Sequence, residues 1–461
     1  MSAPGGQDIL ATGARAQANP RRRTRFQVLA VAAVAVVSVV ALSASTSLSQ
    51  GGGASLTSDG PGVSADSIKV GFVWVDLGAL QKVLPVKSDP AGDPPKDVQI
   101  VTDWINAHGG LGGKTMVSVV EQYPADKDSP QQEEALCNAL TQDEQVFAAV
   151  LNGQFQANAR PCYQKSDTVM VDNTYYPLDR KGYEDFAPYL WSITQPQYDE
   201  FVPAYVSGLK QQGFFEGAQK VGIAAPDTPV NRRVVETMLT PELTKAGVGP
   251  TEQYFVDVSD TASLGKGTDK MAQTFKSSGV DRVLFLGGQR LAPIFTQSAA
   301  VFEFKVPWGM STFDNLRYYS DNVDTLNGLT DGAKAISFSI TNDIADRALP
   351  YPGTFAEAQC QQIYAEAGRE IKTRAESKNP TLYCQAALFI KAVIDSAGPT
   401  VNAQTFAKAA EALGTTFQAG SEWATLFAPG TYASSAAYRL APWDQGCQCF
   451  KPEGGDVPFT P

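Results

Sequence analysis

The stretch Lys220–Gly288 constrains the fold more than any other part of the chain. It holds three short apolar runs: Val221-Gly222-Ile223-Ala224-Ala225, Tyr254-Phe255-Val256-Asp257-Val258 and Arg282-Val283-Leu284-Phe285-Leu286. Helical-period segments separate them, one running to Ala246-Gly247 and one through Lys270–Lys276. Strand-sized runs alternating with 3.6-period segments, with turn residues at each junction, predict β-α-β-α-β. Parallel strands joined by crossover helices bind ligands beyond their carboxyl ends. Asp227-Thr228 and Gly288-Gln289 are therefore candidate pocket residues, and the rest of the chain must supply an opposite wall. Gly265-Lys266-Gly267-Thr268 lacks the Gly-x-x-x-x-Gly-Lys-Ser/Thr spacing of a phosphate loop and does not directly follow a strand, so it reads as the start of a helix.

The same alternation precedes this stretch. Strands are expected at Ser67–Val75, Met116–Val120, Gln145–Leu151, Thr168–Asp172 and Tyr189–Thr194. Helices are expected at Val98–Asn106, where Gly109-Gly110 supply a C-terminal stop, at Gln131–Leu140 and at Asp199–Gln212. Two α/β lobes in series result, with a junction near Gln195-Pro196. Strand-end position nominates Asp76, Asn152, Gln154, Asn173 and Thr174 in the first lobe, and Asp227, Gln289 and Thr312 in the second, as ligand contacts. Asp227 reads equally well as a helix cap. Arg290 shares the position of Gln289. Tyr175-Tyr176 and Tyr318-Tyr319 are pocket walls or ordinary packing.

Composition removes several function classes. The formal charge is 37 − 48 = −11, with no basic block beyond the first 25 residues, which argues against nucleic-acid binding. His108 is the only histidine in 461 residues, leaving little material for a zinc site or a histidine general base. It precedes a glycine turn and reads as a turn or cap residue. No Gly-x-Ser-x-Gly elbow is present. No cofactor, metal or catalytic group is nominated.

Residues 1–25 form a basic n-region ending in Arg21-Arg22-Arg23-Thr24-Arg25, and 26–45 form an apolar run. That pairing predicts a signal peptide or a single membrane anchor with its basic end in the cytoplasm. Residues 46–66 read as a flexible linker. The folded part is thus expected outside the cytoplasm, secreted or held in the cell envelope. Six cysteines suit such an oxidising compartment. Cys137 with Cys162, and Cys360 with Cys384, lie on neighbouring helices and are the expected pairs, each contributing roughly 3 kcal/mol. Cys447 and Cys449 are left to form a small strained ring of structural role, or a redox-active couple.

In this order the segments resemble the type I periplasmic-binding-protein family, in the branched-chain amino-acid (leucine)-binding branch of ABC-transporter solute receptors. The residues carrying the resemblance are Ile68-Lys69-Val70-Gly71-Phe72, Trp104-Ile105-Asn106-Ala107-His108-Gly109-Gly110-Leu111-Gly112-Gly113-Lys114, Lys220–Asp227 and Tyr383-Cys384-Gln385-Ala386-Ala387. The resemblance implies two Rossmann-like parallel-sheet lobes joined by a three-crossing hinge. Lobe I would comprise 67–193 and 340–412, and lobe II 194–339 and 413–461. The implied function is capture of a small polar ligand, an amino acid, amide or similar, and its delivery to an ABC-transporter permease. The sequence departs from relatives at Asn152-Gly153-Gln154-Phe155-Gln156, where they carry Ser and Thr hydroxyls, and at Val230-Asn231, where they carry Tyr-Gly. Both departures argue against a branched-chain amino acid as the specific ligand. A membrane-anchored extracellular sensor and an exported α/β enzyme using Asp172 with Asp227 are the alternatives.

Overall fold

The computed structural model describes residues 58–76, 78, 92–154, 156–326 and 328–460. The n-region, the apolar run and most of the linker lie outside the described residues. Among the described residues no helix is long and apolar enough to cross a membrane.

The first sheet contains β1 (Ser67–Val75), β2 (Thr115–Tyr123), β3 (Ala148–Asn152), β4 (Val169–Asn173) and β5 (Leu190–Ser192), in the order β2-β1-β3-β4-β5. All its pairings are parallel. β3 and β4 are buried at every position, as strands covered on both faces must be. The second sheet contains β6 (Val221–Pro226), β7 (Thr251–Val256), β8 (Arg282–Phe285), β9 (Trp308–Ser311), β10 (Lys334–Ser337), β11 (Ala437–Leu440) and β14 (Glu453–Pro458). Its order is β14-β11-β10-β9-β8-β6-β7, parallel from β10 to β7 and antiparallel at β11 and β14. β12 (Trp443–Asp444) and β13 (Cys449–Phe450) make a separate hairpin. Strands β6 and β8 coincide with the first and third runs of the Lys220–Gly288 stretch, β7 starts three residues before the Tyr254–Val258 run and ends at Val256, and Gly265–Thr268 lie inside the helix Thr261–Ser278.

Local signals explain the ends of these elements. The helix Pro94–Ala107 starts where Asp93 accepts the Lys96 amide and stops at His108. His108 stacks on Trp104 at 4.0 Å and its Nδ1 lies 2.7 Å from the Trp104 carbonyl, so the one histidine serves as a cap. Thr373 caps the 24-residue helix Arg374–Ala397, which packs against the first sheet.

The chain crosses between sheets three times. β5 ends at Ser192, and the helix Tyr198–Gln211 packs on the second sheet. β10 ends at Ser337, and the chain returns to the first lobe. The last crossing differs from the expected 412/413 boundary. Phe417, Phe427 and Ala433 belong to the first lobe's core, and the second sheet is rejoined only at Ala437. The cause is an aromatic cluster: Phe389 stacks on Phe427 at 5.0 Å and meets Phe417 at 5.5 Å and Phe406 at 5.8 Å.

Disulfides join Cys137 to Cys162, Cys360 to Cys384, and Cys447 to Cys449. The first two bridge sequence separations of 25 and 24 residues and tie helices onto the first lobe. Truncating Phe389→Ala should remove about 3–5 kcal/mol of stability through the cavity left among these rings. Urea unfolding measures this, and a loss under about 1 kcal/mol would contradict the shared core.

Candidate functional site

Each sheet reverses its strand order once, at β1/β3 in the first lobe and at β6/β8 in the second. A crevice opens beyond the strand ends at such a switch point. The loop leaving β4 in one lobe, and the ends of β6, β7 and β8 in the other, border one narrow gap of about 250 Å3, open solvent included. Tyr175 and Tyr176 line it from the first lobe, and Pro226, Val258, Gln289 and Arg290 from the second.

Local backbone chemistry sets these walls. Tyr175 sits in the left-handed region at φ 58, an uncommon conformation for a bulky residue and one that clusters at functional sites. Its ring is buried, and its hydroxyl accepts from Asn342 Nδ2 at the hinge. On the far side, Gly287 turns the chain at φ 71, and the Gly288 amide donates to Asp314 Oδ1 at 3.0 Å. A Cβ on Gly288 would lie 2.7 Å from that oxygen, so only glycine allows the approach. Asp314 also accepts the Ser311 amide at 2.7 Å and thereby positions the loop carrying Gln289 and Arg290.

The lobes touch through ion pairs. Arg290 Nη1 donates to Asp128 Oδ2 at 2.9 Å, and both side chains are nearly buried. Asp128 also accepts from Tyr123 Oη at 2.6 Å and from Gln156 Nε2 at 3.0 Å. Gln156 Nε2 in turn reaches the Ser259 carbonyl of the second lobe at 3.1 Å. A second pair is bidentate, Arg233 to Asp179 at 2.6 and 2.7 Å. Burial works to raise the Asp179 pKa, but the Arg233 and Gly182 hydrogen bonds outweigh it and hold the carboxyl below its ordinary range.

The nominated residues divide between the gap and other duties. Gln289 lines the gap directly. Asn152, Gln154 and Asn173 are buried at the ends of β3 and β4. Gln154 Nε2 donates to Glu133 Oε1 at 3.4 Å, while Gln154 Oε1 and Asn173 Oδ1 have no hydrogen-bond partner. Thr174 gives its amide and hydroxyl to Asp172 at 2.7 and 2.6 Å, and Asp172 is paired with Arg160 at 2.6 Å. Asp172 is thus neutralised inside its own lobe. Asp76 is bonded to the Gly78 amide at 2.9 Å. Phe155 lies outside the described residues.

Two nominees point elsewhere. Asp227 is exposed and closed into a bidentate pair with Arg232 at 2.6 and 2.8 Å, while Thr228 caps the helix that follows. Thr312 donates to Asp343 at 2.5 Å and accepts the Phe338 amide at 2.9 Å, which commits it to the hinge. Sequence reasoning did not reach Asp128, Glu133 or Asp179, because their roles depend on partners far away in the chain.

Four of the carboxyls buried here and at the hinge are raised above their ordinary range. Burial pushes Glu133 up to about 8, with the neighbouring Asp172 charge adding to it. Burial likewise raises Asp314 and Asp343 to about 7, and raises Glu422 well above the ordinary carboxylate range. Among the described residues no group of three or more His, Cys, Asp or Glu is placed to hold a metal ion.

Several solved structures share this architecture at low sequence identity. A solute-binding protein of an ABC transporter from R. palustris, in complex with 4-hydroxybenzoate, superposes with a TM-score of 0.60 at 17% identity, over 86% of this chain and 98% of that one. The fold is that of the type I periplasmic-binding proteins. A fatty acid ABC transporter substrate-binding protein from Thermomonospora curvata gives 0.57 at 14% identity, over 87% and 93% of the two chains. A possible leucine/isoleucine/valine-binding protein from Rhodopirellula baltica gives 0.57 at 14%, over 85% and 97%. No family model and no curated protein matches the sequence.

Removing one partner of the Arg290–Asp128 pair strands a buried charge, which costs about 3–5 kcal/mol. Arg290→Ala should therefore shift the lobes toward an open arrangement, seen as a larger radius of gyration in small-angle scattering. An unchanged radius would show that the pair does not hold the lobes together. The raised carboxyls make the folded state bind more protons than the unfolded chain, whose carboxyls titrate near 4. Their contribution is fully present below about pH 4 and is lost as pH rises through about 7–8. The urea midpoint should consequently fall between pH 5 and pH 8.5 (about 3 pH units of titration), and Asp343→Asn with Glu422→Gln should flatten that fall.

Proposed function

We propose that the chain is an exported solute-binding receptor. Its two lobes close on a small polar ligand and present it to the permease of an ABC importer. The observation that carries this reading is the meeting of strand ends from two parallel-sheet lobes across one gap, the lobes being joined by three crossings, in a fold whose solved examples include ABC-transporter solute-binding proteins. Ligand capture by hinged lobes needs that arrangement. The process is binding and release, without covalent change to the ligand.

The ligand contacts proposed here are Gln289 and Arg290 with Tyr175 and Tyr176, backed by Asn152, Gln154 and Asn173. Two rings, several amides and one guanidinium suit a ligand with an aromatic or aliphatic body and a carboxylate or amide head. The named ligands of the related structures, 4-hydroxybenzoate and fatty acid, share that form. An extracytoplasmic location fits both the three disulfides and those relatives. The apolar run at 26–45 then serves export or anchoring.

A thermal-shift screen tests this with aromatic acids, fatty acids, amino acids, amides, sugars and short peptides. One ligand class at about 100-fold excess over its Kd should raise the melting temperature by several degrees. No shift across the whole panel would remove the receptor reading. Gln289→Ala and Tyr176→Ala should each weaken the responding ligand by about ten-fold while leaving the ligand-free melting temperature nearly unchanged.

A further inference from the structure

Far from the gap, the C-terminal hairpin carries a feature the receptor reading does not use. β12 and β13 are two residues long, and Cys447 and Cys449 close a ring across their turn with Cα atoms 5.3 Å apart. Gln448 between them is held in the left-handed region at φ 50, which is costly for a residue with a Cβ. Cys447 is half-buried and Cys449 fully buried. Of the cysteines in the other two bridges, only Cys162 is comparably reachable, and those bridges close far longer loops.

Arg347 lies along this ring. Its Nε donates to the Cys447 carbonyl at 2.6 Å, and its Nη2 to the Gln448 carbonyl at 2.7 Å and the Ser320 carbonyl at 2.6 Å. The Asp444 carboxylate accepts the Cys447 amide at 2.8 Å from the other side. A ring spanning a single residue removes little loop-closure entropy from the unfolded chain, so it is a poor staple. Phe450 and Trp443 anchor the hairpin in the second lobe's core, while Gln445, Gly446 and Gln448 of the turn are exposed, so the turn is the part free to open.

We infer that Cys447–Cys449 is a thiol–disulfide exchange site, opened by a dithiol reductant while the chain stays folded. One thiolate of the dithiol attacks Sγ of Cys447, the sulfur nearer solvent. The Cys447–Cys449 bond breaks, and Cys449 leaves as a thiolate that takes a proton. The dithiol's second thiolate then attacks its own sulfur in the mixed disulfide and releases Cys447, so two electrons pass to the protein and the dithiol departs as its disulfide. A disulfide oxidant reverses the sequence. Opening frees the turn that Arg347 grips, and Arg347 belongs to the segment following the second crossing. The redox state of the ring is thereby felt beside the hinge.

The test uses the full folded chain. It is incubated with dithiothreitol under native conditions, quenched with iodoacetamide at intervals, and mapped by peptide mass spectrometry. Cys447 and Cys449 should be alkylated at least about ten-fold faster than the other four cysteines, with the far-ultraviolet spectrum unchanged. Simultaneous labelling of all six, or labelling of Cys447 and Cys449 only once the spectrum is lost, overturns the proposal. Gln448→Gly relieves the left-handed residue and should slow ring opening several-fold. An unchanged rate in that variant would show that the backbone conformation does not drive the exchange.

Discussion

Everything the two lobes do depends on how three crossing segments are buried against one another. A buried backbone polar group needs a partner, and here the partners come from neighbouring crossings. Ser192 and Ser434 exchange bonds between the first and third, through the Tyr432 and Ser192 carbonyls, at 2.8 and 3.0 Å. Ile340 and Ser339 both reach the Ser421 carbonyl, at 2.7 and 2.8 Å, linking the second and third. Trp423 Nε1 donates to Ser337 at 3.2 Å, and Ser337 donates to Asp343 at 2.7 Å. Small hydroxyl side chains dominate because they satisfy polar groups while letting the segments approach closely.

That lacing leaves Asp343 and Glu422 inside the hinge, each held by hydroxyl donors. Two like carboxyls at close quarters cannot both ionise cheaply. The same economy of charge governs the gap, where Arg290 and Asp128 neutralise one another across it. The hinge is thus lightly charged and the lobes are charge-matched where they touch.

Much of this was legible in the chain. The runs at Val221 and Arg282 read as strands because strands covered on both faces leave continuous apolar runs, whereas the edge strand β7, half-buried along most of its length, reads three residues late. The last crossing was not legible, since Phe417 and Phe427 lie in irregular chain whose burial comes from Phe389, with no period to reveal it. Asp227 was placed correctly at a strand end, yet its direction was decided by Arg232 five residues on. Asp128 gave no signal at all, because its partner stands 162 residues away. Strand-end position finds the loop; which side chain turns inward is settled by local ion pairs that periodicity does not see.

The second sheet ends in β14, whose residues are all exposed, and this border has its own consequence. Glu453, Gly454, Gly455, Asp456 and Pro458 give it charge, flexibility and a missing amide, and Arg439 pairs with Asp456 at 2.7 Å. Such a rim is a poor template for another chain's strand. β11 stands between it and the apolar interior of β10 and β9. A charged, glycine-rich rim of this kind guards a folded sheet against edge-to-edge aggregation.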